Sequence, residues 1–395
     1  TTGASNTAVG KEALSANTTG GQNTAVGQRA LDANTTAEYN NAFGHRSLET
    51  NTTGAHNIAM GGFALQANTT AIDNVAVGSN ALLSNTTGSY NVAIGKATLD
   101  ANTTGQLNVA VGMHALGGNT TASNNTAVGH DALKQNTTGA SNTALGAYAL
   151  DENTTGYDNV GVGAYSGQNI TTGKQNTGIG KSSLHDCTTG DDNVAVGLNA
   201  LFACTTGDYN TAVGKEALVT STTGGSNTAM GEKAGGLITT GNNNTLIGVV
   251  AGYDMTTGSN NVCLGKNSGR ASSPSGQITT QTNAVVLGNN DTTALYCADT
   301  SISSSDSRDK TDVTNFTHGL NWINQLNPIT YRWDKRSWYD DNTPDGSKKR
   351  NKKHIGFLAQ DVLAIEGNPT DKDDMLVVNL NEDDTAYGLK YERLV

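Results

Sequence analysis

The stretch Asn91-Val92-Ala93-Ile94-Gly95-Lys96-Ala97-Thr98-Leu99-Asp100-Ala101-Asn102-Thr103-Thr104-Gly105-Gln106-Leu107 is followed at once by Asn108-Val109-Ala110-Val111-Gly112. The second run restarts the first after 17 residues. Working outward in both directions, Asn recurs at this interval from Asn6 and Asn23 to Asn244 and Asn261, sixteen times without an insertion. Four residues after each Asn stands a glycine, and the residue before that glycine is always apolar, as in Val9, Phe43, Met60, Ile94 and Leu264. The position after the Asn is Thr, Val or Ile in every coil but one, the exception being Asn41, and the next is nearly always Ala.

A fixed short period of this kind defines a solenoid, in which each unit buries its inner face only against its neighbours. Helical repeats need more than thirty residues per unit, so 17 predicts β-structure. The β-branched run after the Asn reads as one strand, closed by the glycine. The Ala-Leu-x-x-Asn-Thr-Thr run reads as a second strand on the opposite side. With coils stacked ~4.8 Å apart, sixteen of them predict a β-solenoid of roughly 75 Å.

A second Asn row refines the inside and outside. Asn17, Asn34, Asn51, Asn68, Asn85, Asn102, Asn119, Asn136 and Asn153 share one phase, and later coils place Ile170, Cys187, Cys204, Ser221, Ile238 and Met255 there. A position that exchanges Asn for Ile, Cys and Met faces inward, and stacked Asn side chains there predict an amide ladder along the axis. Each Asn-Thr-Thr matches a glycosylation acceptor pattern, but a buried row excludes that use. Cys187 and Cys204 fall one coil apart with parallel side chains, which predicts buried free thiols rather than a bridge. The mostly alanine row of small residues (Ala8, Ala25, Ala42), opposite an inward valine, predicts a thin face on which neighbouring chains approach.

Composition agrees. Glycine supplies 48 of 395 residues, far below the one in three of collagen. A net charge of −11 argues against a partner bound through phosphates. No apolar run reaches the ~18 residues of a membrane span, so neither nucleic acid nor membrane insertion is expected. His45 and His130 share a phase while His56, His114 and His185 each take another, and Cys263 and Cys297 lack metal-like spacing. No metal and no cofactor is expected.

The repeat ends near residue 270. Arg270-Ala271-Ser272-Ser273-Pro274-Ser275-Gly276 breaks the register by five residues, since the next Asn-Ala-Val-Val-Leu-Gly starts at Asn283 rather than at 278. Residues 301–395 hold 13 of the 24 Lys and Arg, all three Trp and three of the four Pro. The chain therefore divides into a solenoid over 1–270, a connector with final strands over 271–304, and a mixed α/β domain over 305–395.

Two resemblances add to this reading. The repeat resembles the head repeats of trimeric autotransporter adhesins and shaft repeats of viral tail fibres, over about residues 6–270. In those adhesins three left-handed parallel β-rolls lie side by side, which implies a mainly β homotrimeric fibre with left-handed 17-residue coils.

The C-terminal part runs Ser305-Asp306-Ser307-Arg308-Asp309-Lys310, then Leu326-Asn327-Pro328-Ile329-Thr330-Tyr331-Arg332-Trp333, then Gly356-Phe357-Leu358-Ala359-Gln360-Asp361-Val362, and ends Tyr391-Glu392-Arg393-Leu394-Val395. This order resembles the self-cleaving intramolecular chaperone domain at the C-terminus of phage endosialidases, tailspikes and tail fibres. In that family the domain trimerises the shaft and then cuts itself off before the motif serine.

Carried onto this chain, the resemblance implies Ser305 as nucleophile, Lys310 as its base and Ser304–Ser305 as the scissile bond. Asp306, Arg308, Gly356, Gln360 and Asp361 complete the motif. A serine hydroxyl needs such a base, and a lysine serves only if desolvation or a neighbouring cation such as Arg308 lowers its pKa. Asp309 stands where the family often has an apolar residue, and the family's trimeric helix after the final motif is expected beyond Val395. The implied role is an extracellular virion fibre that meets a host cell-surface receptor. The alternatives are a bacterial trimeric surface adhesin and an ice-binding solenoid, the latter motivated by the Thr18-Thr19, Thr35-Thr36 and Thr52-Thr53 row with one threonine of each pair exposed. A glycan depolymerase would need paired carboxylates in a cleft, and a gapless repeat leaves no insertion to build one. The basic run Lys348 to Lys353 reads as a solvated hairpin tip.

Overall fold

Each coil contributes one strand of three residues, from β1 (Thr7–Val9) and β2 (Thr24–Val26) to β16 (Val262–Leu264) and β17 (Val285–Leu287). In this computed structural model the described residues are 2–293, 320–336, 339, 343–367, 369, 377–380 and 387–389. They fall into two compact units, Thr1–Thr293 and Ala294–Val395. The seventeen strands form a single parallel sheet in which each residue pairs with its equivalent one coil on: Thr7 with Thr24, Ala8 with Ala25, Val9 with Val26. The N-terminal unit is therefore a parallel β-solenoid.

Three expectations are corrected. The second side of the coil is not a strand. Its leucine row, Leu31, Leu48, Leu99 and their equivalents, has φ near +52°, and left-handed backbone cannot continue an extended strand. Turns joined by hydrogen bonds between coils replace it, such as Leu99 N donating to Ala115 O at 3.1 Å.

The alanine row is also reversed. Ala25, Ala42, Ala93 and Ala110 are fully buried within the chain, while Phe43, Met60, Ile94 and Val128 stand outward and exposed. The inner wall opposite is the leucine row, and a 17-residue coil has no room for valine and leucine facing each other. The small residue faces in because the large one already fills the core.

The register break is the third. Val262 pairs with Val285, a step of 23 rather than 17, so the insertion is six residues and not five. Ala284 N donates to Asn261 Oδ1, and Asn283 takes the left-handed position of Asn260 one coil earlier. Residues 277–288 form a further coil, with Ile278 buried in the core.

The core keeps its volume by an exchange between two rows. Where the leucine is replaced by Gly167, Gly235, Gly252 or Gly269, the inward Asn is replaced by Ile170, Ile238, Met255 or Ile278. A Cβ added at Gly167 would lie 3.0 Å from Ile170 Cδ1, while at Gly252 the space is shared, 2.6 Å from Leu246 Cδ2 of the alanine row and 3.2 Å from Met255 Sδ. The larger side chain of one row occupies the space vacated by the other, as close packing requires. Cys187, Cys204 and Ser221 sit beside intact Leu184, Leu201 and Leu218, and remain small.

One buried acid opposes the fold. Asp151 is 7% exposed and its Oδ1 has no hydrogen-bond partner. Burial, reinforced by the Glu152 carboxylate, raises its carboxyl to about 6. A folded pKa above the unfolded ~3.9 means that ionised Asp151 destabilises the coil. That penalty is absent below about pH 4 and complete above about pH 6. Asp151→Asn is expected to raise unfolding stability at pH 7.5 by about 1–2 kcal/mol and to give no gain at pH 3.5. Urea midpoints at the two pH values check this; an equal gain at both would refute it.

Candidate functional site

Two arrangements carry the candidate residues, the Asn rows of the solenoid and the motif residues of the C-terminal unit. The nine Asn from Asn17 to Asn153 are buried and hydrogen-bond from coil to coil. Asn102 Nδ2 donates to Asn85 Oδ1 at 2.8 Å and to Gly105 O at 3.0 Å, and Asn119 Nδ2 donates to Asn102 Oδ1 at 2.9 Å. The ladder ends where the sequence changes. Ile170 offers no donor, and Asn153 Oδ1 is left without a partner. Cys187 and Cys204 are free and buried, each thiol directed at the glycine carbonyl three residues on.

The period-marking Asn row forms a second ladder, which reading of the sequence missed. Asn108 N and Nδ2 both donate to Asn91 Oδ1, at 3.0 and 3.1 Å, and Nδ2 also reaches Ala122 O at 2.9 Å. Its signal was the absolute regularity of the row, used only to set the period. The doublet threonines divide their work. Thr86 and Thr103 donate their hydroxyls to the next coil's threonine carbonyl at 3.0 Å. Thr87, Thr104 and Thr121 form a single exposed file. Ring pairs one coil apart, such as stacked Tyr148–Tyr165 and Tyr39–His56, were equally open to the repeat arithmetic.

In the C-terminal unit, β18 (Ile329–Tyr331) pairs antiparallel with β19 (His354–Gly356), placing Ile329 opposite Gly356. Tyr331, Trp333 and His354 pack as a ring cluster with centroids 5.2 to 6.3 Å apart. Between the strands, Tyr339 OH donates to Asp334 Oδ1 at 2.6 Å and accepts from Lys348 N at 2.9 Å. Burial and the Asp334 carboxylate raise the Tyr339 hydroxyl above its ordinary pKa. Ser347 N donates to Asp345 Oδ1 at 2.8 Å in the turn, and Lys348, Lys349, Lys352 and Lys353 are exposed beside it. The basic run thus lies at a solvated hairpin tip. Thr330, Tyr331, Arg332, Lys349 and Lys353 line an open hollow there.

Helix α1 (Leu320–Ile323) precedes β18, and helix α2 (Ala359–Ile365) follows β19 and turns Val362 into a small core with Trp322, Val377 and Val378. Of the motif residues, Gly356 is buried at the strand end, while Gln360 and Asp361 are exposed on the first turn of α2. Ser304, Ser305, Asp306, Arg308 and Lys310 lie outside the described residues. Among the described residues no group of His, Cys, Asp and Glu is placed to hold a metal, and no helix is long and apolar enough to cross a membrane.

Residues 305–370 match the family described as chaperone of endosialidase, so the matched span opens at Ser305 itself. A search among curated proteins finds no match for the chain. A parallel β-solenoid followed along the sequence by an endosialidase-type chaperone segment fits a tail-fibre-like protein.

Proposed function

We propose that this chain is the adhesive shaft of a phage-like tail fibre, assembled as a homotrimer by its C-terminal segment, which then releases itself at Ser304–Ser305. The match of 305–370 to the endosialidase chaperone family carries the reading. The solenoid supports it: seventeen stacked strands make a long repetitive body with many equivalent outward positions, suited to presenting a surface to a host receptor.

In the cleavage step Lys310, unprotonated, takes the Ser305 hydroxyl proton, and Oγ adds to the carbonyl carbon of Ser304. The Ser304–Ser305 amide bond breaks and the nitrogen leaves as the free amine of Ser305, protonated by Lys310. Water then hydrolyses the ester to give the Ser304 carboxylate and restore the hydroxyl. Lys310 acts only when assembly desolvates it and lowers its pKa.

Expressed from its complete gene, the protein is expected to appear as two polypeptides, the smaller beginning at Ser305. Ser305→Ala and Lys310→Ala are each expected to leave one intact chain that still trimerises. Intact mass and light scattering measure both properties. Cutting at the same bond in Ser305→Ala would defeat the cleavage assignment, and a monomeric mass for the folded wild type would defeat the trimer.

A further inference from the structure

The strand face that points away from the core carries an unbroken column of large apolar side chains beside an uncharged column of Val, Ile and Thr. The residue before each glycine is Val, Ile, Leu, Met or Phe in all seventeen strands. The first strand residue, two positions earlier, points the same way and is Val, Ile or Thr except at Asn41. Neither column contains a charge. Ile94, Val128, Leu145 and Ile179 are exposed by 41, 38, 39 and 42%. Single exposed apolar residues are ordinary, whereas a continuous patch marks an interface.

We propose that this two-column stripe is the surface on which copies of the chain meet, with the strand faces of three protomers turned toward a common axis parallel to the solenoid. The proposal deepens the trimeric reading above and rests on it.

Three features select a second copy of this chain as the occupant. Seventeen strands at ~4.8 Å, each about 10 Å across, present a face on the order of 800 Å² per chain, which a trimer divides between two neighbours, so that its three contacts together bury roughly 2,400 Å². A copy related by rotation about a parallel axis carries the same rungs at the same pitch, so side chains meet level by level without slippage. The stripe is also free of charge in a chain of net charge −11, while the adjoining corners carry charges such as Lys11, Glu12, Arg29 and Glu216. Like-charged chains can approach closely only along such a face. The threonine file is uncharged too, but its hydroxyl-bearing surface leaves far less apolar area to bury.

Cross-linking of the full chain tests this. In a Cys297→Ser background, with Cys187, Cys204 and Cys263 buried, Val128→Cys is treated with a bismaleimide whose spacer is about 8 Å, matched to the ~10 Å separation of packed sheets. The expected result is a covalent dimer band for Val128→Cys and none for Thr121→Cys on the threonine file. As a second measurement, Val111→Asp/Val128→Asp is expected to lower Tm by about 10 °C, against about 2 °C or less for Thr104→Asp/Thr121→Asp. A trimeric wild type in which Val128→Cys does not cross-link, or in which Thr121→Cys does so instead, would overturn the surface assignment while leaving the trimer intact. A monomeric wild type would overturn both.

Discussion

Gly129→Ala is expected to destabilise the solenoid by about 4 kcal/mol, although it adds a single methyl group. Gly129 has φ +143°, a region that residues with a Cβ scarcely enter. A Cβ there would press on the carbonyl group of Gly146 in the next coil, 2.6 Å from its carbon and 3.0 Å from Ala147 N. The clashing atoms are backbone held in the inter-coil ladder, since Gly129 N donates to Val111 O and Gly146 N to Val128 O, both at 2.8 Å. No rotamer change relieves this, so the coils must separate. Because each coil contacts only its neighbours, the damage should be local. Amide hydrogen exchange is expected to quicken in the coils around residues 112–150 and stay slow near Leu31 or Leu218. Gly62→Ala is the control. Gly62 lacks a positive φ, a Cβ there would meet nothing closer than His45 O at 4.0 Å, and its row already holds His45, Ser79 and Lys96, so this change should cost about 1 kcal/mol or less. Equal losses for the two variants would refute the backbone argument.

The same glycine row shows why part of the fold could be read without coordinates. A period of 17 with no insertion up to Asn261 leaves only a solenoid, and the replacement of Asn by Ile170 or Met255 is intelligible only if that row faces the core. Which side of the strand faces inward was not legible. Alternation places Ala93 opposite in direction to Val92 and Ile94 but does not say which is inside. That depends on the size of the opposite wall, and therefore on Leu82, Leu99 and Leu116, whose direction follows from a backbone that L-residues seldom adopt. A signal did exist, since Gly167, Gly235 and Gly252 stand in the leucine row, as a left-handed position would permit. In the C-terminal unit the resemblance marked the segments in which β18 and α2 lie, without telling that β18 pairs with β19. It could not foresee that Tyr339 would link Asp334 to the return arm at Lys348, because that contact depends on how the hairpin closes.

Asn102→Asp is expected to cost about 3–5 kcal/mol at neutral pH, by burying a carboxylate with no cation beside it. Asn102 gives two hydrogens, to Asn85 Oδ1 and Gly105 O, and receives one from Asn119. An aspartate keeps the acceptor facing Asn119 but turns its other oxygen against two acceptors. Repulsion replaces two hydrogen bonds. Burial and those oxygens raise the folded pKa of the new acid above its unfolded ~3.9. The sign follows: the deficit is complete above the folded pKa, shrinks as pH falls through it, and levels off below about pH 4, where both states are protonated. Recovery should be partial, because the neutral acid supplies one hydrogen where the amide supplied two. Asn102→Cys separates charge from ladder. It repeats what the chain does at Cys187 and Cys204, loses the amide bonds without introducing a carboxylate, and should cost about 1–2 kcal/mol with little pH dependence between 4 and 7. Thermal melts of the two variants at both pH values make the comparison. An Asn102→Asp melt that matches wild type at pH 7, or a deficit that does not lessen at pH 4, would mean that the row does not sit in the dry interior where its hydrogen bonds place it.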